Sequence, residues 1–128
     1  MAERTAKIVT IPLFKNLSLS AGDTGTSGII DLREIAQTGT FSISSGVAAG
    51  TSTTAGTTVF TYVASPYFDG TFVAPAGVAA LGTSGATIGA YFASISPVLA
   101  PFIKIVATQT GAGTAGANSQ ISAELHVR

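Results

Sequence analysis

The chain has no cysteine, a single histidine and little charge, with six basic and six acidic side chains in 128 residues and a net charge of zero. The missing cysteine excludes disulfide staples, thiolate metal sites and cysteine nucleophiles together. Stability must then come from packing and backbone hydrogen bonds. His126 is the one possible base for a Ser-His-Asp arrangement, and no serine stands in the G-x-S-x-G pattern of a nucleophile elbow. His126 reads instead as a solvated surface residue on a polar strand face. Acidic residues are scattered singly: Asp31 with Glu34 is the closest pair, Asp69 stands alone, and neither resembles a calcium loop or a designed carboxylate pair. The basic residues form no run that would neutralise successive phosphates. The expectation is a protein that is not an enzyme, has no cofactor or metal, and binds no nucleic acid.

Charge is also unevenly placed. The first 34 residues hold eight charged side chains, and after Glu34 only Asp69, Lys104, Glu124 and Arg128 follow. An ordinary soluble domain is about 25% charged, against 9% for this chain. Soluble monomers rely on mixed surface charge to stay apart. Much of this surface is therefore expected to be neutral and in contact with protein.

What is present is small and β-prone. Ala, Gly, Ser and Thr supply 67 of the 128 residues, so each large side chain should matter to the core. The length suits one domain that buries roughly two thirds of its unfolded surface. We expect an N-terminal arm over residues 1–6, which carries no core signal, and one domain over residues 7–128. The polar opening Met-Ala-Glu-Arg-Thr-Ala-Lys is unlike an export signal, which points to synthesis in a cytoplasm. Thr71 to Ile103 is uncharged and long enough to raise a membrane helix. Pro75, Pro97 and Pro101 with four interspersed glycines argue against it.

Period-2 apolar patterns separated by Gly, Ser, Thr and Asn clusters recur along the chain, the signature of many short strands. The clearest is the last, where Ile121, Ala123, Leu125 and Val127 alternate with Ser122, Glu124, His126 and Arg128. Thr57 to Ser65 carries Val59 and Val63 on one face and Phe60 and Tyr62 on the other, so both faces should be covered. Further strands are expected at Lys7 to Lys15, Gly28 to Leu32, Thr40 to Ser45, Thr71 to Ala74, Thr87 to Ile95 and Phe102 to Thr108, with one helical turn open to Leu32 to Gln37. About eight short strands predict an all-β fold, a single β-sandwich of jelly-roll or immunoglobulin-like topology.

Between the strands, Gly46 to Gly56 reads as a long flexible loop, and Asp69-Gly70 as a hairpin signal. Thr24 to Gly28 and Leu81 to Gly85 share Gly-Thr-Ser-Gly and read as turns. Gly111-Ala112-Gly113-Thr114-Ala115-Gly116 has the spacing of a dinucleotide loop, but a strand rather than a helix follows it. Asn16-Leu17-Ser18 is a glycosylation sequon in spelling alone, at a polar strand end. Tyr62, Pro66, Tyr67, Phe68 and Phe72 form the densest aromatic group, flanking the Ser65 to Gly70 turn. Exposed aromatics there would anchor a partner or stack on a sugar.

Three stretches together resemble small β-sandwich structural proteins of tailed-bacteriophage virions. They are Ile29-Ile30-Asp31-Leu32 leading into Thr40-Phe41-Ser42-Ile43, the segment from Tyr62 through Asp69-Gly70-Thr71-Phe72-Val73-Ala74-Pro75, and Ser96-Pro97-Val98-Leu99-Ala100-Pro101-Phe102-Ile103-Lys104-Ile105-Val106-Ala107-Thr108. The resemblance spans roughly Ser27 to Arg128 and departs where Pro66-Tyr67-Phe68 replaces a shorter polar turn. It implies a capsid decoration, cement or auxiliary protein, made in the host cytoplasm and located in the virion, whose partners are copies of itself and other capsid proteins. Neutral β surfaces suit such packing, because buried charges would carry a desolvation penalty. Contacts are expected at Arg4, Lys7 and Lys15 in the N-terminal region and at Pro66, Tyr67, Phe68 and Phe72 in the loop, in a homo-oligomer. The alternatives are a carbohydrate- or receptor-binding module such as a tail-fibre domain, and a non-viral surface or filament subunit.

Overall fold

Strict alternation of small polar and branched apolar residues favours the pleated strand, where side chains at i and i+2 share a face. The computed structural model describes residues 7–20, 22–35, 38–49, 58–76, 89–97, 100–109 and 118–128. Among them are eight strands and no helix: β1 (Val9–Ser20), β2 (Thr24–Thr26), β3 (Ile30–Asp31), β4 (Phe41–Ala49), β5 (Thr58–Ser65), β6 (Gly89–Ile95), β7 (Phe102–Gln109) and β8 (Asn118–Val127). The arm at residues 1–6, with Arg4, lies outside the described residues. So do the Leu81 to Gly85 turn and the Gly111 to Gly116 loop.

The strands form two antiparallel sheets. One has the order β1-β8-β4-β6. In the other, β5 runs along one edge of β7 for its whole length, from Thr58 opposite Gln109 to Ser65 opposite Phe102. Both β2 and β3 must then lie along the opposite edge of β7. They are two halves of one strand. Three residues, Ser27 to Ile29, face two residues of β7 between them, which is a β-bulge. Ser27 holds the bulge closed: its N–H donates to the Ile105 carbonyl (2.8 Å) and its Oγ accepts the Ile105 N–H (2.9 Å).

The order resolves the topology left open by the sequence. Counting β2 and β3 as one strand, the first strand pairs with the last (β1 with β8), the second with the next to last (β2/β3 with β7), and β4 with β6. Ala64 and Val73 close the innermost hairpin through an isolated antiparallel bridge. Nested pairing of this kind, joined by β8 to β4 and β7 to β5, is a jelly roll. The immunoglobulin order is excluded, because it pairs the last two strands as neighbours and here β7 and β8 lie in different sheets.

One core lies between the sheets. Ile43, Ile121, Leu125 and Val127 from the first sheet meet Phe60, Tyr62, Ile103 and Ile105 from the second. The faces of β5 differ more than its sequence predicts: Phe60 and Tyr62 are buried, whereas Val59 and Val63 are only half-buried. Buried polar groups are few. Thr58 Oγ1 donates to Gln109 Oε1 (3.1 Å) beneath the end of β5, while the buried Ser45 hydroxyl has no partner among the described residues.

Several boundaries differ from expectation. Thr71 to Ala74 contributes only the bridge at Val73, because Pro75 and Gly70 leave too few residues to extend a ladder. β4 runs on through Ala49 into the expected Gly46 to Gly56 loop, held by β8 and β6 on its two sides. The helical turn at Leu32 to Gln37 is a plain turn at Arg33 to Ile35, with Ala36 and Gln37 outside the described residues. Asn16-Leu17-Ser18 lies within β1, not at its end. Asn16 there adopts φ of 52°, a left-handed conformation that asparagine tolerates better than most residues, at one of the two bulges of that strand.

Leu125→Ala is expected to lower unfolding stability by about 2–5 kcal/mol in urea titrations. Ser45→Ala should raise it by about 1 kcal/mol by removing an unsatisfied hydroxyl. A Leu125→Ala protein as stable as the parent would place Leu125 outside the core.

Candidate interaction surfaces

The hairpin after β5 is built to hold its tip in one shape. Ser65 Oγ donates to the Tyr67 carbonyl (2.8 Å) and accepts the Tyr67 N–H (3.1 Å), and the Gly70 N–H donates to the same carbonyl (3.1 Å). A Cβ on Gly70 would lie 2.5 Å from Ser65 Oγ, so a side chain there would displace the serine hydroxyl from its bonds to Tyr67. The consequence is that Tyr67 and Phe68 stand out from the surface, 67% and 64% exposed. Pro66 is exposed beside them.

Beneath this tip lies a small aromatic and cationic stack. Phe68 meets Phe102 edge-on, with ring centroids 5.9 Å apart, and Arg33 lies over the Phe102 ring at 4.9 Å. Arg33 in turn grips Asp31 through two bonds, Nε to Oδ1 (3.0 Å) and Nη2 to Oδ2 (2.8 Å), and its N–H also donates to Oδ1. These side-chain hydrogen bonds from Arg33 hold the Asp31 carboxyl below its ordinary range and raise the guanidinium. Phe72 is half-buried, and Lys104 Nζ lies 4.5 Å from its ring centre. The structure thus gathers Pro66, Tyr67, Phe68 and Phe72 around one hairpin. It sets Lys7 and Lys15 elsewhere, exposed before and within β1 on the other sheet.

A second surface is the outer face of the β1-β8-β4-β6 sheet. His126 is not merely solvated: Nδ1 is hydrogen-bonded to Thr10 Oγ1 (3.0 Å) and Nε2 to Ser44 Oγ (2.8 Å), which ties β8 to both neighbours. One ring nitrogen of a neutral imidazole donates and the other accepts, and hydroxyls can meet either role. Phe92 of β6 stacks on the imidazole at 5.4 Å with the planes 8° apart, yet remains 70% exposed. A groove of about 630 Å³ lies on one side of Phe92, lined by Pro12, Lys15, Ser44, Gly46 and Glu124. A smaller one of about 270 Å³ lies on the other, lined by Ile8, Ser42, His126 and Arg128.

The Ser44–His126 contact has the reach of a nucleophile and base. What orients the imidazole is the Thr10 hydroxyl rather than a carboxylate, and Ser44 sits mid-strand in an unbroken ladder. The arrangement is best described as a hydrogen-bonded cross-strand tie. Phe92, Ile8 and Val73 are the exposed apolar residues that sequence reading missed, although the period-2 phase sets Phe92 opposite to Ile95 and so pointed outward. Among the described residues no cluster of three or more metal-ligating side chains occurs, and no helix is long and apolar enough to cross a membrane.

Compared with protein-family models, with curated proteins and with solved structures, the chain matches none.

Because the Asp31 carboxyl is held low, its stabilising contact is present above the unfolded carboxylate range and is lost as pH falls through the folded value. Carboxyl NMR titration should show Asp31 protonating at lower pH than an unperturbed aspartate. Arg33→Gln should move the Asp31 midpoint upward, and an unmoved midpoint would remove Arg33 as the cause.

Proposed function

We propose that the protein is a non-enzymatic structural component of a virus particle, a capsid decoration or auxiliary protein of the tailed-bacteriophage kind, that works by docking neutral β surfaces against neighbouring subunits. The observation that carries this reading is a jelly-roll strand order combined with sparsely charged sheet faces, which hold Lys15 and Glu124 on one sheet and Asp31 and Lys104 on the other. Jelly rolls recur in viral capsid proteins, and uncharged faces avoid the desolvation penalty of burying charge between subunits. The support is of two kinds, since fold alone never assigns a function.

Tyr67 and Phe68 supply the docking anchors. They are large, exposed and held by a turn of fixed shape, so little side-chain or loop freedom is lost on contact. The same exposure favours the second reading, a sugar-binding module, because jelly rolls also serve as lectins and an exposed tyrosine can stack on a pyranose. The two readings separate in one comparison.

The purified protein should rebind particles stripped of it and show no affinity on a glycan array. Tyr67→Ala with Phe68→Ala should weaken particle binding by about tenfold or more while the circular dichroism spectrum stays unchanged. Absence of the protein from any regular particle in electron micrographs of its source would overturn the virion reading, and glycan binding abolished by the double substitution would establish the alternative.

A further inference from the structure

Open sheet edges present unpaired N–H and C=O groups and recruit other chains unless something blunts them. The jelly roll has four such edges, and three carry protective devices. β1 contains Pro12, Lys15 and two bulges, and lies against β2. The β2/β3 strand is broken by the Ser27 bulge and ends at the Asp31–Arg33 pair. Beyond β5, among the described residues, only the single bridge at Val73 follows, two residues before Pro75.

β6 has none of these. Its register against β4 runs without a shift from Phe41 opposite Ile95 to Val47 opposite Gly89. Its sequence, Gly-Ala-Tyr-Phe-Ala-Ser-Ile, holds no charge and no proline. Among the described residues nothing pairs with its outer edge. Phe92, the most exposed of the large apolar residues, is the middle residue of the strand.

We propose that β6 pairs antiparallel with β6 of a second copy about a two-fold axis beside Phe92, making one continuous sheet across a dimer. A second copy is the fitting occupant because a two-fold sets each residue against its own equivalent or a near neighbour. Any charge near the axis would then meet itself, and β6 has none. Phe92 of each copy would stand directly opposite the other, an aromatic cross-strand pair with Cβ atoms about 5 Å apart. Each phenyl ring, already backed by His126, would gain cover on its open side. The inference rests on the edges of the fold and on the reading that the chain assembles with protein, not on a viral origin.

Sedimentation velocity of the full chain should show a dimer. Phe92→Lys should raise its dissociation constant at least about tenfold by opposing like charges, with an unaltered far-ultraviolet circular dichroism spectrum because the ring lies on the outer face and not in the core. Phe92→Cys gives a further readout that does not depend on the lysine variant folding. The parent chain has no cysteine, and directly opposed strand residues fall within disulfide reach, so mild oxidation should yield a covalent dimer. Ser18→Cys on the β1 edge should stay single-chain under the same treatment. A monomer, a dimer indifferent to Phe92→Lys, open-ended growth, or equal cross-linking of the two cysteine variants would each overturn the β6 two-fold. A monomer that still rebinds stripped particles would do so while leaving the assembly reading intact.

Discussion

The register of β8 between β1 and β4 is the constraint from which most of this molecule follows. Its inner row, Ile121, Ala123, Leu125 and Val127, is buried against the second sheet. Its outer row presents Ser122, Glu124, His126 and Arg128. A slip of one residue would exchange the rows and send His126 and Glu124 into the core, where an unpaired charge or imidazole carries a desolvation penalty far above the energy of a cross-strand pair. The same register puts His126 within reach of Thr10 on one side and Ser44 on the other, so the apolar seam and the polar tie specify one alignment together.

A chain with so few charges has to manage its sheet edges by backbone means. Lysine, the usual edge guard, appears once within the strand edges, at Lys15. Elsewhere the work falls to Pro12, to the bulges at Ser27 and around Asn16, and to the tight turn at Ser65 to Gly70. The paucity of charge therefore has two consequences of one physical origin. Faces with little charge would lose little on being buried against protein, and an edge without charge or proline has nothing that turns another strand away. Three of the five large exposed apolar residues mark these places: Tyr67 and Phe68 on the hairpin tip, Phe92 at the middle of β6.

Strand existence was legible wherever apolar residues recur at period two. Lys7 to Lys15, Thr40 to Ser45, Thr57 to Ser65, Thr87 to Ile95, Phe102 to Thr108 and the terminal strand all have counterparts. β2 escaped because Thr-Gly-Thr carries no apolar alternation, and only the exposed edge of β7 makes a strand of it. Thr71 to Ala74 reads as a strand because its β-branched and aromatic residues suit one, while its flanking glycine and proline limit it to one bridge. At the candidate surfaces, the aromatic hairpin was visible as a cluster in sequence. The outer face was not, since Thr10, Ser44, Phe92 and His126 come from four strands that are neighbours only in space.

The sequence by itself determined that the protein is an all-β sandwich, that its core is built from few large residues, and that its surface is short of charge, because alternation and composition are local properties of the chain. Strand order was decided only by tertiary structure. Which strands become neighbours depends on how the nested hairpins roll so that both apolar faces close on each other, and no local pattern encodes that choice. In the sequence the low charge belongs to the whole chain, and the fold gives it particular places: an aromatic hairpin held by Ser65, a tied outer face and, among the described residues, an unpaired β6 edge.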